Sequence, residues 1–142
     1  MLEISREGLR AIEEHGRRDY PDECCGILLG TASGRDARVE SVRDVPNVKE
    51  GERKRRFVIA PGEYLAAERA AREAGLALLG FYHSHPDHPA RPSEFDREHA
   101  WPNLHYVILR VAEGVPDTST SWVLAEDRSV FHEEDLRIAE GD

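Results

Sequence analysis

The run "LALLGFYHSH", Leu76 to His85, constrains the fold more than any other stretch. Its apolar positions neither alternate like a half-exposed strand nor extend far enough for a long helix, so it reads as a central strand covered on both faces. The strand delivers His83 and His85 at its C-terminal end, and Pro86 turns the chain. Residues two apart on an extended strand project from the same side, so the two imidazoles lie close together.

The neighbouring segments supply partners and cover for that strand. "SREGLRAIEEHGRRD", residues 5 to 19, places Leu9, Ile12 and the stem of His15 near one helical face, with its start at Ser5. "YPDE" breaks the helix, and "CCGILLG" is a short buried strand with Glu23 at its mouth. "RVESVRDVPN" and "RFVIA" read as further strands, with the polar "VKEGERKR" as an exposed turn between them. "PGEYLAAERAAREAG" is a helix, with proline in its first turn and Gly75 as its stop. Ser93 is a natural N-cap for the short helix "SEFDREHA". "LHYVILRVA" is another buried strand, "EGVPDTS" a turn, and "TSWVLAED" with "SVFHEED" a closing hairpin or a strand and tail. Strands interleaved with two long helices and one short one predict a single α/β domain over residues 1–142, a mixed α/β/α sandwich rather than strict βαβ alternation.

Composition narrows the function classes. With 142 residues there is room for one core, and 39% hydrophobic with 33% charged residues fits a globular protein. No apolar window is long enough to span a membrane, and "MLEISREGLR" has no signal core, so the expected location is cytoplasmic. A formal charge of -9 disfavours a nucleic-acid partner, and the cluster Arg53 to Arg56 reads as a solvated loop. Cys24 and Cys25 are adjacent and point to opposite faces, which disfavours a disulfide; both read as buried small hydrophobes.

The chemistry concentrates after the central strand. A catalytic zinc site takes three protein ligands and keeps a fourth position for water. His83 and His85 supply two, and Asp96, in the first turn of a helix opened by Ser93, can swing back as the third. Asp87 and His88 lie in the sharp turn, and His99 lies one helical turn beyond Asp96. These three read as surroundings, as do Glu94 and Glu98. His15, His105 and His132 read as an exposed helix residue, a strand residue and a tail residue. Ser84, on the opposite strand face, reads as structural.

Six residues separate Pro86 from Ser93, so the full pattern is HSHPxxxxxxSxxD. This pattern resembles the JAMM/MPN-plus metalloprotease family, and "PDECCGILLG" is similar to the segment that carries that family's catalytic glutamate. The resemblance spans about residues 2 to 125. It implies a cytidine-deaminase-like α/β/α fold of JAB/MPN type, with Zn2+ held by His83, His85 and Asp96. It further implies Glu23 as general acid and base and Ser93 as the oxyanion donor. By resemblance to compact bacterial relatives, the expected substrate is a ubiquitin-like or sulfur carrier protein with a Gly-Gly C-terminus, supplied in trans, from which a conjugate or a cysteine adduct is released. Monomer and homodimer are both compatible with this reading. A catalytically inactive MPN-type scaffold is the alternative, against which the complete ligand set and the glutamate speak. A zinc deaminase requires HxE with PCxxC, and neither is present.

Overall fold

The computed structural model describes residues 1–139; the last three residues of the expected domain lie outside them. In chain order the elements are β1 (Leu2–Ser5), α1 (Arg6–Asp19), β2 (Cys25–Ser33), β3 (Asp36–Val45), α2 (Pro61–Ala74), β4 (Ala77–Pro86), α3 (Glu94–His99), β5 (His105–Ala112), β6 (Val115–Leu124), β7 (Phe131–Glu134) and β8 (Leu136–Ala139). The strands form one mixed sheet in the order β7-β6-β5-β4-β2-β3-β1-β8. β4 is central, antiparallel to β2 and parallel to β5. β7 and β8 stand at opposite ends of that order although only Asp135 separates them, so the sheet curls until its ends nearly meet.

Helices cover both faces. Ile12 of α1 packs with Leu2, Ile4, Leu28, Tyr82 and Leu109 on one side. On the other, Ala67 and Ala71 of α2 pack with Cys25, Ile27, Phe81 and Tyr106. Burying a side chain of leucine or isoleucine size contributes about 1.5–3 kcal/mol, so these two clusters rather than helix propensity hold the layers together. Two glycines permit close approaches. A Cβ on Gly80 would sit 1.8 Å from the His105 carbonyl oxygen, and one on Gly26 would sit 2.1 Å from the Tyr82 ring.

The helix termini follow the sequence signals. Ser5 caps α1 through Gly8 N, and Gly75 ends α2 in the left-handed region at φ 72°. Four expectations change. "RFVIA" is not a strand and pairs with no strand of the sheet. Val58 instead donates its N–H to Asn47 Oδ1 and accepts from Val48 N. His15 is buried rather than exposed. Its Nδ1 lies 2.7 Å from Tyr82 Oη, and its Nε2 lies 3.2 Å from Asp19. His132 is in β7, paired with Val123, rather than in a tail, and β6 begins inside the expected turn. β1 and β8, four residues each, pair in parallel. Among the described residues no helix is long and apolar enough to cross a membrane.

Candidate metal centre

β4 carries His83 and His85 to its C-terminal end, where both are buried. α3 opens opposite them with a capping box: Ser93 Oγ accepts from Asp96 N at 3.1 Å, and Asp96 Oδ2 accepts from Ser93 N at 2.8 Å. The cap aims the Asp96 carboxylate at the histidines. His83 Nε2, His85 Nε2 and Asp96 Oδ2 form a triangle with each side 3.2 Å.

That triangle fits a small divalent ion. Ligand distances of about 2.0–2.1 Å in a tetrahedron put ligand atoms about 3.3 Å apart. His85 Nδ1 donates to the Pro89 carbonyl at 2.7 Å, which leaves its Nε2 lone pair facing the triangle. His83 stacks on Phe57 at 4.6 Å, and its Nδ1 finds no partner among the described residues. Burial alone would push the Asp96 carboxyl up, but the His83 and His85 imidazoles hold it well below the usual carboxylate range.

Glu23 arrives just before β2 and is fully buried. Its backbone is held at both ends. Its N–H donates to Arg53 O at 2.6 Å, and its carbonyl accepts from Asn47 Nδ2 at 3.0 Å. The next residue, Cys24, donates its N–H to Ser84 Oγ at 2.8 Å, tying this segment to β4 between the two histidines. Among the described residues neither carboxylate oxygen of Glu23 has a hydrogen-bond partner. Desolvation pushes its pKa up to about 8, His85 opposes that shift, and Asp96 adds to it.

Several residues outside the sequence reading shape the site. The Asn47 carboxamide also donates to Arg56 O and accepts from Lys49 N and Val58 N, so one side chain ties the 48–58 segment to Glu23. A "VPN" before a polar loop was its only sequence signal. Phe57, Val58, Tyr64, Phe81, Phe95, Trp101 and Tyr106 line an apolar cleft of about 240 Å³ that ends at His83 and Asp96. The Arg56 guanidinium lies 4.7 Å over the Phe95 ring. Asp87 turns away, accepting from Tyr20 Oη and Glu113 N. Glu94 pairs with Arg97, and His99 stacks on Phe95. His88 does not stay apart, since it stacks on His85 at 4.1 Å. Both cysteines are buried and free, and burial pushes the Cys24 thiol up to about 12.

A curled mixed sheet between helices, with a buried nitrogen and oxygen triangle at the end of its central strand, defines a JAB/MPN-type hydrolase. Residues 5–125 match the family described as prokaryotic homologs of the JAB domain, and the chain belongs to that family. It is 35% identical over 112 residues to the desampylase of Haloferax volcanii, covering 75% of this chain and 78% of that protein. It is 36% identical over 110 residues to the CysO-cysteine peptidase of Mycobacterium tuberculosis, covering 77% of this chain and 73% of that one. A protein of Desulfitobacterium hafniense solved in solution superposes with a TM-score of 0.87 at 31% identity, over 99% of this chain and 94% of its own. A JAB1/MPN domain protein from Archaeoglobus fulgidus shares the fold, with a TM-score of 0.61 at 22% identity over 97% and 99% of the two chains.

Proposed function

We propose that the chain is a zinc-dependent peptidase or isopeptidase, acting in the cytoplasm as a single domain over residues 1–142. Its substrate is the bond that follows the Gly-Gly C-terminus of a ubiquitin-like or sulfur carrier protein. The observation that carries this reading is the 3.2 Å triangle of His83, His85 and Asp96, with the unpartnered Glu23 carboxylate beside it. The named relatives, a desampylase and a CysO-cysteine peptidase, favour carrier adducts as the substrate class.

In this reading His83 and His85 would hold the ion through Nε2 and Asp96 through Oδ2. When bound, zinc lowers the pKa of water toward neutrality and polarises the scissile carbonyl. Glu23 takes the proton of the attacking water on its carboxylate and hands it to the leaving amine. The Ser93 oxygen accepts the Asp96 N–H, which leaves the hydroxyl proton free for the developing oxyanion, a donor typically worth about 3 kcal/mol. The apolar cleft beside His83 takes side chains of the substrate and excludes water from the reacting bond.

The test is incubation of zinc-loaded protein with carrier fusions ending in Gly-Gly followed by cysteine, by a peptide or by a lysine-linked protein, with the products identified by mass spectrometry. Glu23→Gln is expected to keep one zinc per chain and lose hydrolysis. Asp96→Ala is expected to lose the zinc. Full activity in either variant overturns the assignment.

A further inference from the structure

The turn after β4 holds a histidine that the proposed reaction leaves idle. His88 Nδ1 donates to the Pro86 carbonyl at 2.7 Å. This is the device that orients His85, whose Nδ1 donates to Pro89 O at the same distance. A backbone carbonyl that takes the Nδ1 proton leaves Nε2 as a lone pair ready to bind a metal. The two rings stack at 4.1 Å, 24° from parallel, so His88 presents its edge beside that of His85. The third neighbour is Glu23, fully buried, with both carboxylate oxygens unpartnered. One ligand atom from each of Glu23, His85 and His88 lies within 4.8 Å of the others. A shared ion needs about 3.3 Å between them. The Glu23 carboxylate, with no hydrogen-bond partner among the described residues, is free to turn toward His88.

We propose that Glu23 and His88, beside His85, form a second divalent-cation site, and that filling it switches the hydrolase off. An imidazole nitrogen with a carboxylate suits zinc and its neighbours better than magnesium or calcium. The second site is the weaker of the two. His85 Nε2 belongs to the first ion and its Nδ1 proton to Pro89 O, so the second ion rests on Glu23 and His88 with solvent completing the shell. Inhibition follows from the ligands themselves, because a Glu23 carboxylate bound to a cation cannot take a proton from water. The inhibitory half of the proposal rests on Glu23 acting as the base. The binding half does not.

Zinc alone is the probe. Wild-type protein, Glu23→Gln and His88→Gln are dialysed against graded zinc and the bound metal is counted, while hydrolysis by wild type and His88→Gln is followed over the same range. Wild type is expected to bind one equivalent tightly and a second weakly, and to lose activity as the second binds. Each variant is expected to keep the first equivalent, which also reports that it is folded, and to lose the second. His88→Gln is expected to need about tenfold more zinc or higher for inhibition, since losing a group that supports a metal site commonly costs 10–100-fold in affinity. A second equivalent retained in either variant, or an unchanged inhibition curve for His88→Gln, overturns the proposal. If no carrier fusion is cleaved by wild type while both variants lose the second equivalent, the proposed function fails and the second site stands.

Discussion

Replacing Asn47 separates two tasks that its carboxamide performs at once. The oxygen accepts from Lys49 N and Val58 N, both at 3.1 Å, and so folds the 48–58 segment over the cleft. The nitrogen donates to Glu23 O at 3.0 Å and to Arg56 O at 3.1 Å, and so fixes the backbone that carries the proposed base. Each bond contributes about 0.5–1.5 kcal/mol, so Asn47→Ala, at a half-buried position with four bonds, is expected to cost about 2–4 kcal/mol. Asn47→Asp keeps the acceptor half and abolishes the donor half, placing a carboxylate against two carbonyls. Both variants are expected to hold zinc, because neither touches His83, His85 or Asp96. Both are expected to lose kcat as Glu23 drifts. KM is expected to rise chiefly in Asn47→Ala, where Phe57 and Val58 at the cleft wall lose their anchor. Urea unfolding and steady-state kinetics on one carrier fusion check this. Wild-type kcat in Asn47→Asp would refute the tether to Glu23, and an unchanged unfolding midpoint in Asn47→Ala would refute the anchoring of the segment.

Four further outcomes are expected. Ser84→Ala leaves the buried Cys24 N–H without its acceptor, so unfolding should show a loss of about 1–3 kcal/mol with metal stoichiometry unchanged. Phe57→Ala removes the ring stacked on His83 and opens the cleft, and kinetics should show KM rising more than kcat falls. Burial holds the His15 imidazole below its ordinary pKa, with Asp19 and Asp44 opposing the shift and Arg18 reinforcing it. The unfolded chain therefore gains a proton that the folded chain refuses as pH falls below 6.5, and stability should decline there, less steeply in His15→Gln. Burial would raise the Glu134 carboxyl, but hydrogen bonds from His105 and Ser121 hold it below 4.5. Its contribution is present above that pH and lost as pH falls through the folded value, and Glu134→Gln should flatten acid unfolding.

What the sequence made legible was local. The apolar run before His83, the proline and glycine that bound α2 and the Ser93 N-cap are each decided within a few residues, and the structure keeps all of them. What it hid was decided by distant neighbours. "RFVIA" has strand composition, but it pairs with no strand of the sheet. β1 and β8 are too short to announce themselves, and each gains meaning only by pairing with the other across the curled sheet. His15 looked like a surface residue until Gly26, by lacking a side chain, let the Tyr82 ring lie across β2 and reach it. Asn47 and His88 stand out only weakly in the sequence, because their contacts depend on carbonyl groups whose positions only the folded loops define.

The proposed role of Glu23 as general base accounts for its separation from the histidine loop. A carboxyl that must hold and release a proton near neutrality needs a pKa far above that of a solvated carboxylate. The loop cannot provide one. Asp87 is lowered by its bonds to Tyr20 and Glu113, and Glu94 by its pairing with Arg97. Asp96 is drawn down by two imidazoles despite its burial, which suits a ligand and disqualifies a base. Raising a carboxyl instead takes a dry position without donors, and such a position lies inside the sheet rather than in an exposed turn. β2 offers it at its buried end, where Arg53 and Asn47 satisfy the backbone of Glu23 and nothing satisfies its side chain. In the proposed reaction two carboxyls at one site, one pushed up to about 8 and the other held down, would divide the work of base and ligand between them.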